Sequence, residues 1–155
     1  TTLFRSQSLA IIEYLDERYP ESPLLPASAA DRAWVRQIAL DVACDIHPLN
    51  NLRVLKYLTG PIGLSEEQKQ TWIRHWIDLG LQALESRLAT SPRRGAFCFG
   101  DRPTLADCCL VPQLFNAERF GMALDAYPTL RRIEQACNIL KAFQNAHPAN
   151  QPDAE

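Results

Sequence analysis

The spacing of apolar and polar positions predicts helices along most of the chain. Ser28 or Asp31 opens a pattern of about 30 residues in which apolar side chains recur every three or four positions, as on one face of a helix. Pro48 interrupts the pattern and predicts a bend near His47. The apolar face that this spacing predicts consists of Trp34, Val35, Ile38, Ala39, Val42, Ile46, Leu49 and Leu52.

A second long helix is predicted from Ser65 to about Ala89. Ser65 can accept a hydrogen bond from an unpaired backbone N–H, and the acidic pair Glu66 and Glu67 suits the positive end of the helix dipole. The breaker sequence 59–63 separates the two long helices, which should therefore form an antiparallel hairpin. The inward stripe predicted for the second helix consists of Trp72, Trp76, Leu79, Ala83, Leu84 and Leu88.

The strongest start signal in the chain is Thr104 with Asp107 three residues later. Each side chain can accept from a backbone N–H that the first helical turn leaves unpaired, so the pair predicts a capping box with a structural and not a catalytic role for Asp107. The helix that follows, from Leu105 to Phe115, is apolar almost all round and should be enclosed on all sides. Pro112 predicts a bend within this helix and not its end, because the pattern resumes beyond it.

Shorter segments complete an all-α prediction. Residues 7–19 form a helical pattern, 20–27 are rich in proline and read as a linker, and a further helix opens at Tyr127, with a short final turn around Phe143. The apolar face of that further helix is predicted to consist of Leu130, Ile133, Cys137 and Leu140. Arg93 and Arg94 fall in a loop and should be solvated. Residues from Ala146 onward have little apolar content, and no structure is predicted for them.

Composition narrows the class of protein. The chain has 155 residues, 46% hydrophobic and 22% charged, with a net charge of −2, which is typical of a globular domain and gives no sign of a nucleic-acid or membrane-surface partner. No leader or bilayer-spanning run occurs, so we expect a cytoplasmic location. The five cysteines are odd in number and lack metal-ligand spacing, which favours small buried side chains in a reducing compartment over disulfides or a metal site.

The capping box at the head of a buried helix resembles the C-terminal helical domain of the glutathione transferases. Longer motifs resemble the zeta class, which includes maleylacetoacetate and maleylpyruvate isomerases, and the likeness runs from about Thr2 to Asp153. The residues that carry it are Gln7-Ser8-Leu9-Ala10-Ile11-Ile12-Glu13-Tyr14-Leu15, Val111-Pro112-Gln113 and Asn116-Ala117-Glu118-Arg119-Phe120.

The resemblance implies a domain organisation. Residues 28–148 would be the helical bundle of a transferase C-terminal domain, 21–27 a linker and 149–155 a tail. Residues 1–20 would be the last strand, at Leu3 and Phe4, and the last helix of a thioredoxin-like domain that binds glutathione. The serine-rich motif that activates the glutathione thiol would then lie ahead of Thr1, so we expect no catalytic residue in this chain.

Two groups of polar residues are candidates for binding glutathione. Gln7 and Ser8 lie at the positive end of a helix, which binds carboxylates readily, and the resemblance implies contact with the γ-glutamyl end of glutathione. Alternatively Ser8 is a simple cap and Gln7 a surface residue. His47, Asn50, Asn51 and Arg53 cluster around the predicted bend and could line one cavity. The resemblance implies that His47 contacts glutathione with Asn51 close by, although a histidine beside a proline is more often structural.

Two arginines are candidates for binding substrate. The resemblance implies that Arg119 binds a substrate carboxylate and that Arg53 assists, the latter favouring maleylpyruvate as substrate. A guanidinium suits this task because it recognises a carboxylate at two points. The alternatives are an ion pair of Arg119 with Glu118 or Asp125, and a solvated Arg53.

The activity implied is glutathione-dependent cis–trans isomerisation of a small dicarboxylate, maleylpyruvate or maleylacetoacetate, to its fumaryl product. The thiolate would add to the double bond, the bond would rotate, and elimination would follow. A homodimer acting in the breakdown of aromatic compounds is expected by the same resemblance. The alternatives are a general glutathione transferase and a non-catalytic helical module that binds other proteins.

Overall fold

The computed structural model describes residues 7–152 and 154, which form a bundle of seven α-helices without a β-strand, so the all-α prediction is confirmed for these residues. The predicted strand at Leu3 and Phe4 lies outside them. None of the described helices is both long and apolar enough to span a membrane. The helices are α1 (Ser8–Arg18), α2 (Ala29–Leu40), α3 (Leu52–Thr59), α4 (Glu66–Thr90), α5 (Leu105–Arg119), α6 (Pro128–Asn138) and α7 (Lys141–Ala146).

The core lies between α2, α4, α5 and α6. Helix α5 packs against α2 on one side and α6 on another, and α4 also packs against α6. The segment between α1 and α2 is docked onto the start of α5, because the carbonyl of Leu24 accepts from the N–H of Leu105 at 3.0 Å and Leu25 is buried. Fully buried apolar side chains from each of the four helices include Val35, Ile38, Ile73, Ile77, Leu81, Leu110, Leu114, Leu130 and Ile133.

A capping box begins α5. The fully buried carboxylate of Asp107 accepts three hydrogen bonds: from the N–H of Thr104 at 2.7 Å, from the hydroxyl of Thr104 at 2.8 Å, and from the N–H of Cys98 at 2.8 Å. The third bond ties the loop before α5 to the helix. Ser65 and Gln68 form a second capping box at the start of α4, as the sequence pattern around Ser65 predicts.

The prediction of one helix of about 30 residues with a bend is wrong. Helix α2 ends at Leu40 and is followed by a π-helical turn, Asp41–Ile46, a 3₁₀ turn, His47–Asn50, and then α3. Pro48 explains the change, because proline has no N–H and its ring excludes the carbonyl one turn earlier. Asn51 has an extended backbone, and its side chain caps α3 by accepting from the N–H of Arg53 at 3.0 Å. As a result Leu52, predicted to face the core, is 64% exposed.

The inward stripe predicted for α4 is displaced by about one position. Leu84 and Leu88 are buried as predicted, but Leu79 and Ala83 are exposed, and the two tryptophans are only partly buried. Trp72 lies at the edge of the core because its indole N–H donates to the carbonyl of Leu49. The residues of α4 that fill the core are Ile73, Ile77, Leu81, Leu84 and Leu88.

Gly80 lets α4 approach the π-helical turn closely. A Cβ atom at this position would lie 2.3 Å from Cγ1 of Ile46, a distance that side chains do not reach. Ile46 is itself 1% exposed and cannot move into solvent. The glycine therefore sets the distance between the middle of α4 and the residue that precedes His47.

Helix α5 is not enclosed on all sides. Pro112 and Phe115 are exposed, and with Val111, Phe143 and their neighbours they line an open hollow of about 490 Å³ between α5, α6 and α7. The apolar side chains of α5 therefore face the core on one side and this open hollow on the other. Pro112 does not end the helix, which continues to Arg119.

The arginine pair before α5 is not simply solvated. Arg93 lies 3.3 Å from a carboxylate oxygen of Asp31 and stacks over Trp34, with its guanidinium carbon 5.5 Å from the ring centroid. Arg94 donates from Nε to the carbonyl of Leu88 at 2.9 Å, which closes the end of α4.

The C-terminal residues are also more ordered than predicted. A 3₁₀ turn, Pro148–Asn150, follows α7, and Gln151 donates from Nε2 to the carbonyl of Asn145 at 2.8 Å.

Candidate functional site

Gln7 has an unusual backbone conformation at the start of α1. Its φ of 67° makes it the one non-glycine residue with a left-handed backbone among those described. Such a conformation costs roughly 1–3 kcal/mol and is concentrated at ligand sites. The helix begins at Ser8, and its N-cap residue is Gln7, which makes no side-chain cap. Ser8 is therefore not a cap, and both side chains are exposed.

The residues around the predicted bend do not all face one open cavity. His47 and Arg53 are exposed, whereas Asn50 is only 8% exposed and lies within the protein. Asn51 is half-buried and uses its side-chain oxygen to cap α3. The 3₁₀ turn and the first turn of α3 thus present His47 and Arg53 outward, while between them Asn51 caps α3 and Asn50 is buried.

Arg119 is the last residue of α5 and is exposed. Within residues 7–152 and 154, no ion pair involves it. The alternative pairing with Glu118 is not seen, because Glu118 lies 3.9 Å from Arg131 instead. Arg53 likewise has no carboxylate partner in the described part of the chain. Both guanidinium groups remain available to bind an anion from solution.

Two side chains of α4 bring the arginine-bearing segments to the same end of the bundle. Trp72 donates from Nε1 to the carbonyl of Leu49 at 2.8 Å, in the 3₁₀ turn that leads to Arg53. Arg74 donates from Nε to the carbonyl of Phe120 at 3.1 Å, directly after Arg119. Trp72 and Arg74 are two residues apart and therefore at a similar height in the first half of α4, although their side chains leave different sides of the helix. The segments that carry Arg53 and Arg119 thus lie at the end of the bundle where α4 begins.

Helix α1 points its first residues toward this end as well. Asp16 accepts from the N–H of Leu24, ahead of α2, and Glu13 lies 2.6 Å from Arg36 in the middle of α2. Helix α1 therefore runs antiparallel to α2. At about 1.5 Å per residue, Gln7 lies about 9 Å from Glu13 along α1. This displacement is away from Leu24 and in the direction in which α2 runs toward the 3₁₀ turn.

Four of the five cysteines do not provide a nucleophile; the fifth, Cys44, is exposed, contrary to the prediction of small buried side chains. Burial raises the pKa of Cys108 to about 11 and that of Cys109 to about 12, so both remain neutral thiols near pH 7. Burial also raises the pKa of Cys98 and of Cys137, with the Asp107 carboxylate adding to the effect. Across the described residues, no group of three or more His, Cys, Asp and Glu side chains is placed to hold a metal ion.

Sequence reasoning missed three features of this site. The left-handed backbone of Gln7 has no signal in the sequence, because glutamine is not a residue that favours that region. The roles of Trp72 and Arg74 depend on how α4 packs. The burial of Asn50 was also missed, because it depends on how the 3₁₀ turn packs in place of the predicted continuous helix.

Comparison with known proteins identifies the family. Residues 77–142 match the family described as "Glutathione S-transferase, C-terminal domain". A probable maleylacetoacetate isomerase of Vibrio cholerae is 53% identical over 149 residues, which cover 96% of this chain and 68% of the relative.

Solved structures give the same result. The holo structure of a maleylpyruvate isomerase, a bacterial zeta-class glutathione S-transferase, superimposes with a TM-score of 0.93 at 50% identity, covering 97% of this chain and 71% of that one. A maleylacetoacetate isomerase of Anaeromyxobacter dehalogenans with bound glutathione gives a TM-score of 0.90 at 47% identity, covering 97% and 68%. The chain therefore belongs to the zeta class of glutathione S-transferases, in the group of maleylacetoacetate and maleylpyruvate isomerases.

Proposed function

We propose that the protein is a glutathione-dependent isomerase that converts maleylpyruvate or maleylacetoacetate to the corresponding fumaryl compound. The observation that carries the proposal is the pair of exposed, unpaired guanidinium groups, Arg53 and Arg119, at one end of the bundle. Both substrates are dianions with a cis double bond. A guanidinium binds a carboxylate through two parallel hydrogen bonds, so two such groups suit a substrate with two acidic ends.

The residues available for glutathione are Gln7, Ser8, His47 and Asn51. The first N–H groups of α1 lack a capping side chain, and the positive end of the helix favours a carboxylate such as that of the γ-glutamyl group. The strained backbone of Gln7 supports a ligand role, because a conformation that costs stability is retained where function requires it. His47 is exposed at the facing turn and offers ring nitrogens for a polar contact.

Bound glutathione supplies the thiolate that adds to the double bond, so that the bond can rotate before the thiolate leaves. The chain's own residues act on the substrate. Arg119 holds one carboxylate and fixes the position of the reacting carbons. Arg53 provides a second cation for the other carboxylate of the substrate and assists Arg119 in holding it.

Steady-state kinetics test the proposal. The complete protein is assayed on maleylpyruvate and maleylacetoacetate, with and without glutathione, by following formation of the trans product. We expect turnover that requires glutathione and a higher kcat/KM for maleylpyruvate, because an arginine at position 53 is the feature in which the sequence resembles the maleylpyruvate isomerases in particular. Failure to turn over either substrate in the presence of glutathione would contradict the proposal.

A general glutathione transferase and a protein-binding module remain the alternatives. A conjugating enzyme of broad specificity has no need of two fixed cations, and a docking module has no need of a strained residue at a helix start. Turnover of a general electrophile such as a chloronitrobenzene, without isomerisation, would favour the first. Lack of retention on immobilised glutathione would favour the second.

We further propose that the protein acts as a homodimer in the cytoplasm. Apolar side chains that are 44% to 64% exposed supply surface for a second copy, and all five cysteines are unpaired, which suits a reducing compartment. The exposed side chains concerned are Leu40, Leu52, Tyr57 and Leu79. Light scattering on the purified complete protein tests the dimer: the mass of a single chain would contradict it.

A further inference from the structure

Asn50 is a buried polar residue inside the turn that presents the candidate ligand residues. It is 8% exposed, and both Oδ1 and Nδ2 are inaccessible to solvent and unpaired with any other described residue. Its neighbour Asn51 is different, because the Asn51 side chain caps α3. The polar group of Asn50 thus has no evident part in holding the described fold together.

A buried amide without partners is costly. Leaving one buried donor or acceptor unsatisfied destabilises a protein by about 1–3 kcal/mol, whereas an apolar side chain of similar shape avoids that cost. An apolar side chain would suit this segment, since Ile46, four residues earlier, belongs to the hydrophobic core and contacts α4 near Gly80. Folding alone therefore gives no reason for an asparagine here.

The backbone around Asn50 is irregular in the same place. A π-helical turn, Asp41–Ile46, changes directly into the 3₁₀ turn, His47–Asn50, and then into the extended backbone of Asn51. π-helical insertions of this kind occur frequently at functional sites. His47 and Arg53, on either side of Asn50, are the residues that this irregular segment turns outward.

We propose that Asn50 is a positioning residue of the ligand site. Its buried amide sets the orientation of the turn that carries His47, Asn51 and Arg53, by bonding to the backbone of that turn when the turn takes up its ligand-bound position. Asn50 itself touches neither ligand. The inference rests on the proposed function and extends it to a residue that acts through its neighbours.

Asn50→Leu tests the proposal because it removes the amide and keeps the volume. Gln113→Leu is the matched control, since Gln113 is another buried amide, 3% exposed, whose Nε2 is unpaired, and it belongs to a different element, α5. Both variants should have a melting temperature equal to or above that of the parent. Asn50→Leu should lower kcat/KM about tenfold, mainly by raising KM, because a small displacement of binding groups is enough for that loss. Gln113→Leu should leave both constants within twofold.

A second variant keeps the proposal testable if Asn50→Leu does not fold. Asn50→Ala leaves more space, should melt at a lower temperature, and should show the same rise in KM at a temperature where it is folded. Kinetic constants of the folded Asn50 variants that match those of the parent would overturn the positioning role. If the parent binds glutathione but isomerises neither substrate, the proposed function is wrong. The glutathione affinities of the parent and the Asn50 variants are then compared, and equal affinities would overturn the positioning role.

Discussion

The carboxylate of Asp107 accepts two hydrogen bonds from one residue, Thr104, through its backbone N–H at 2.7 Å and its hydroxyl at 2.8 Å. Both partners are buried, and the other carboxylate oxygen accepts from Cys98. The start of α5 and the loop before it are thereby joined at a single side chain. The relationship assigns Asp107 to folding, since its carboxylate is fully buried and its three hydrogen bonds all come from the start of α5 and the loop before it.

Asp107→Ala should therefore destabilise the protein strongly and leave the ligand site intact. Hydrogen bonds to a charged group contribute about 1.5–3 kcal/mol each, and the variant leaves buried donors without a partner, so we expect a loss of 3 kcal/mol or more. Urea unfolding measures the loss. Glutathione affinity, determined at a temperature where the variant is folded, should equal that of the parent. Lower affinity at unchanged stability would show that the assignment to folding is wrong.

Arg119→Ala should impair substrate handling without unfolding the protein. The side chain is exposed and unpaired, so its removal takes no contact from the fold. Loss of a charge-assisted bond to a carboxylate should reduce kcat/KM by about tenfold to a hundredfold. Arg53→Ala should have a milder effect, and Arg119→Lys should recover only part of the activity, because an ammonium cannot bind a carboxylate at two points.

Arg102 provides the control for both substitutions. It is also exposed and makes no ion pair with another described residue, but it lies before the capping box at the opposite end of α5. Arg102→Ala should have the kinetic constants of the parent. Equal losses from Arg102→Ala and Arg119→Ala would point to a general effect of positive charge instead of a specific carboxylate contact.

Gln7→Gly should separate stability from binding at the start of α1. Glycine adopts a φ of 67° without steric cost, so the variant should melt at the same temperature as the parent or slightly higher. Glutathione affinity, measured by calorimetry, should fall because the side chain is lost. Gln7→Asn, which also tolerates a left-handed backbone and keeps an amide, should retain more of the affinity. Unchanged affinity in Gln7→Gly would remove Gln7 from the binding site.

Cys108 should make stability fall at alkaline pH. Its pKa is raised to about 11 in the folded protein by burial, from 9.0 for an ordinary thiol. The unfolded chain therefore loses this proton first, and stability declines as the pH rises from 9 toward 11. One pKa unit corresponds to about 1.4 kcal/mol, so the decline attributable to this thiol reaches roughly 2–3 kcal/mol. Cys108→Ser should show a shallower decline in urea unfolding between pH 8 and pH 11, and an identical decline would contradict the assignment.

Local signals in the sequence predicted much of the fold. The capping sequences at Ser65 and Thr104 mark the starts of α4 and α5 because their hydrogen bonds join residues only three apart. Features that depend on packing between distant segments could not be predicted from such local signals. Pro48 marks the break of the long helix in the sequence, but the form of the break, a π-helical turn and a 3₁₀ turn packed against α4, could not be predicted from the periodicity of apolar residues.

The candidate site, too, could be predicted from the sequence only in part. Residue types suited to anions, at Gln7, Arg53 and Arg119, could be selected from the sequence and the family resemblance. Their common location at one end of the bundle required the bonds from Trp72 and Arg74, which join segments far apart in the chain.

The contact between Gly80 and Ile46 limits how this protein can be engineered. Replacing a helical glycine by alanine commonly gains about 0.4–1 kcal/mol, and thermostabilisation schemes choose such positions routinely. Here the added methyl group would collide with Ile46 and push the residue directly before His47. A consensus-based library that includes alanine at position 80 should therefore yield variants with impaired glutathione binding, although the substitution lies in the middle of a helix and touches no ligand residue.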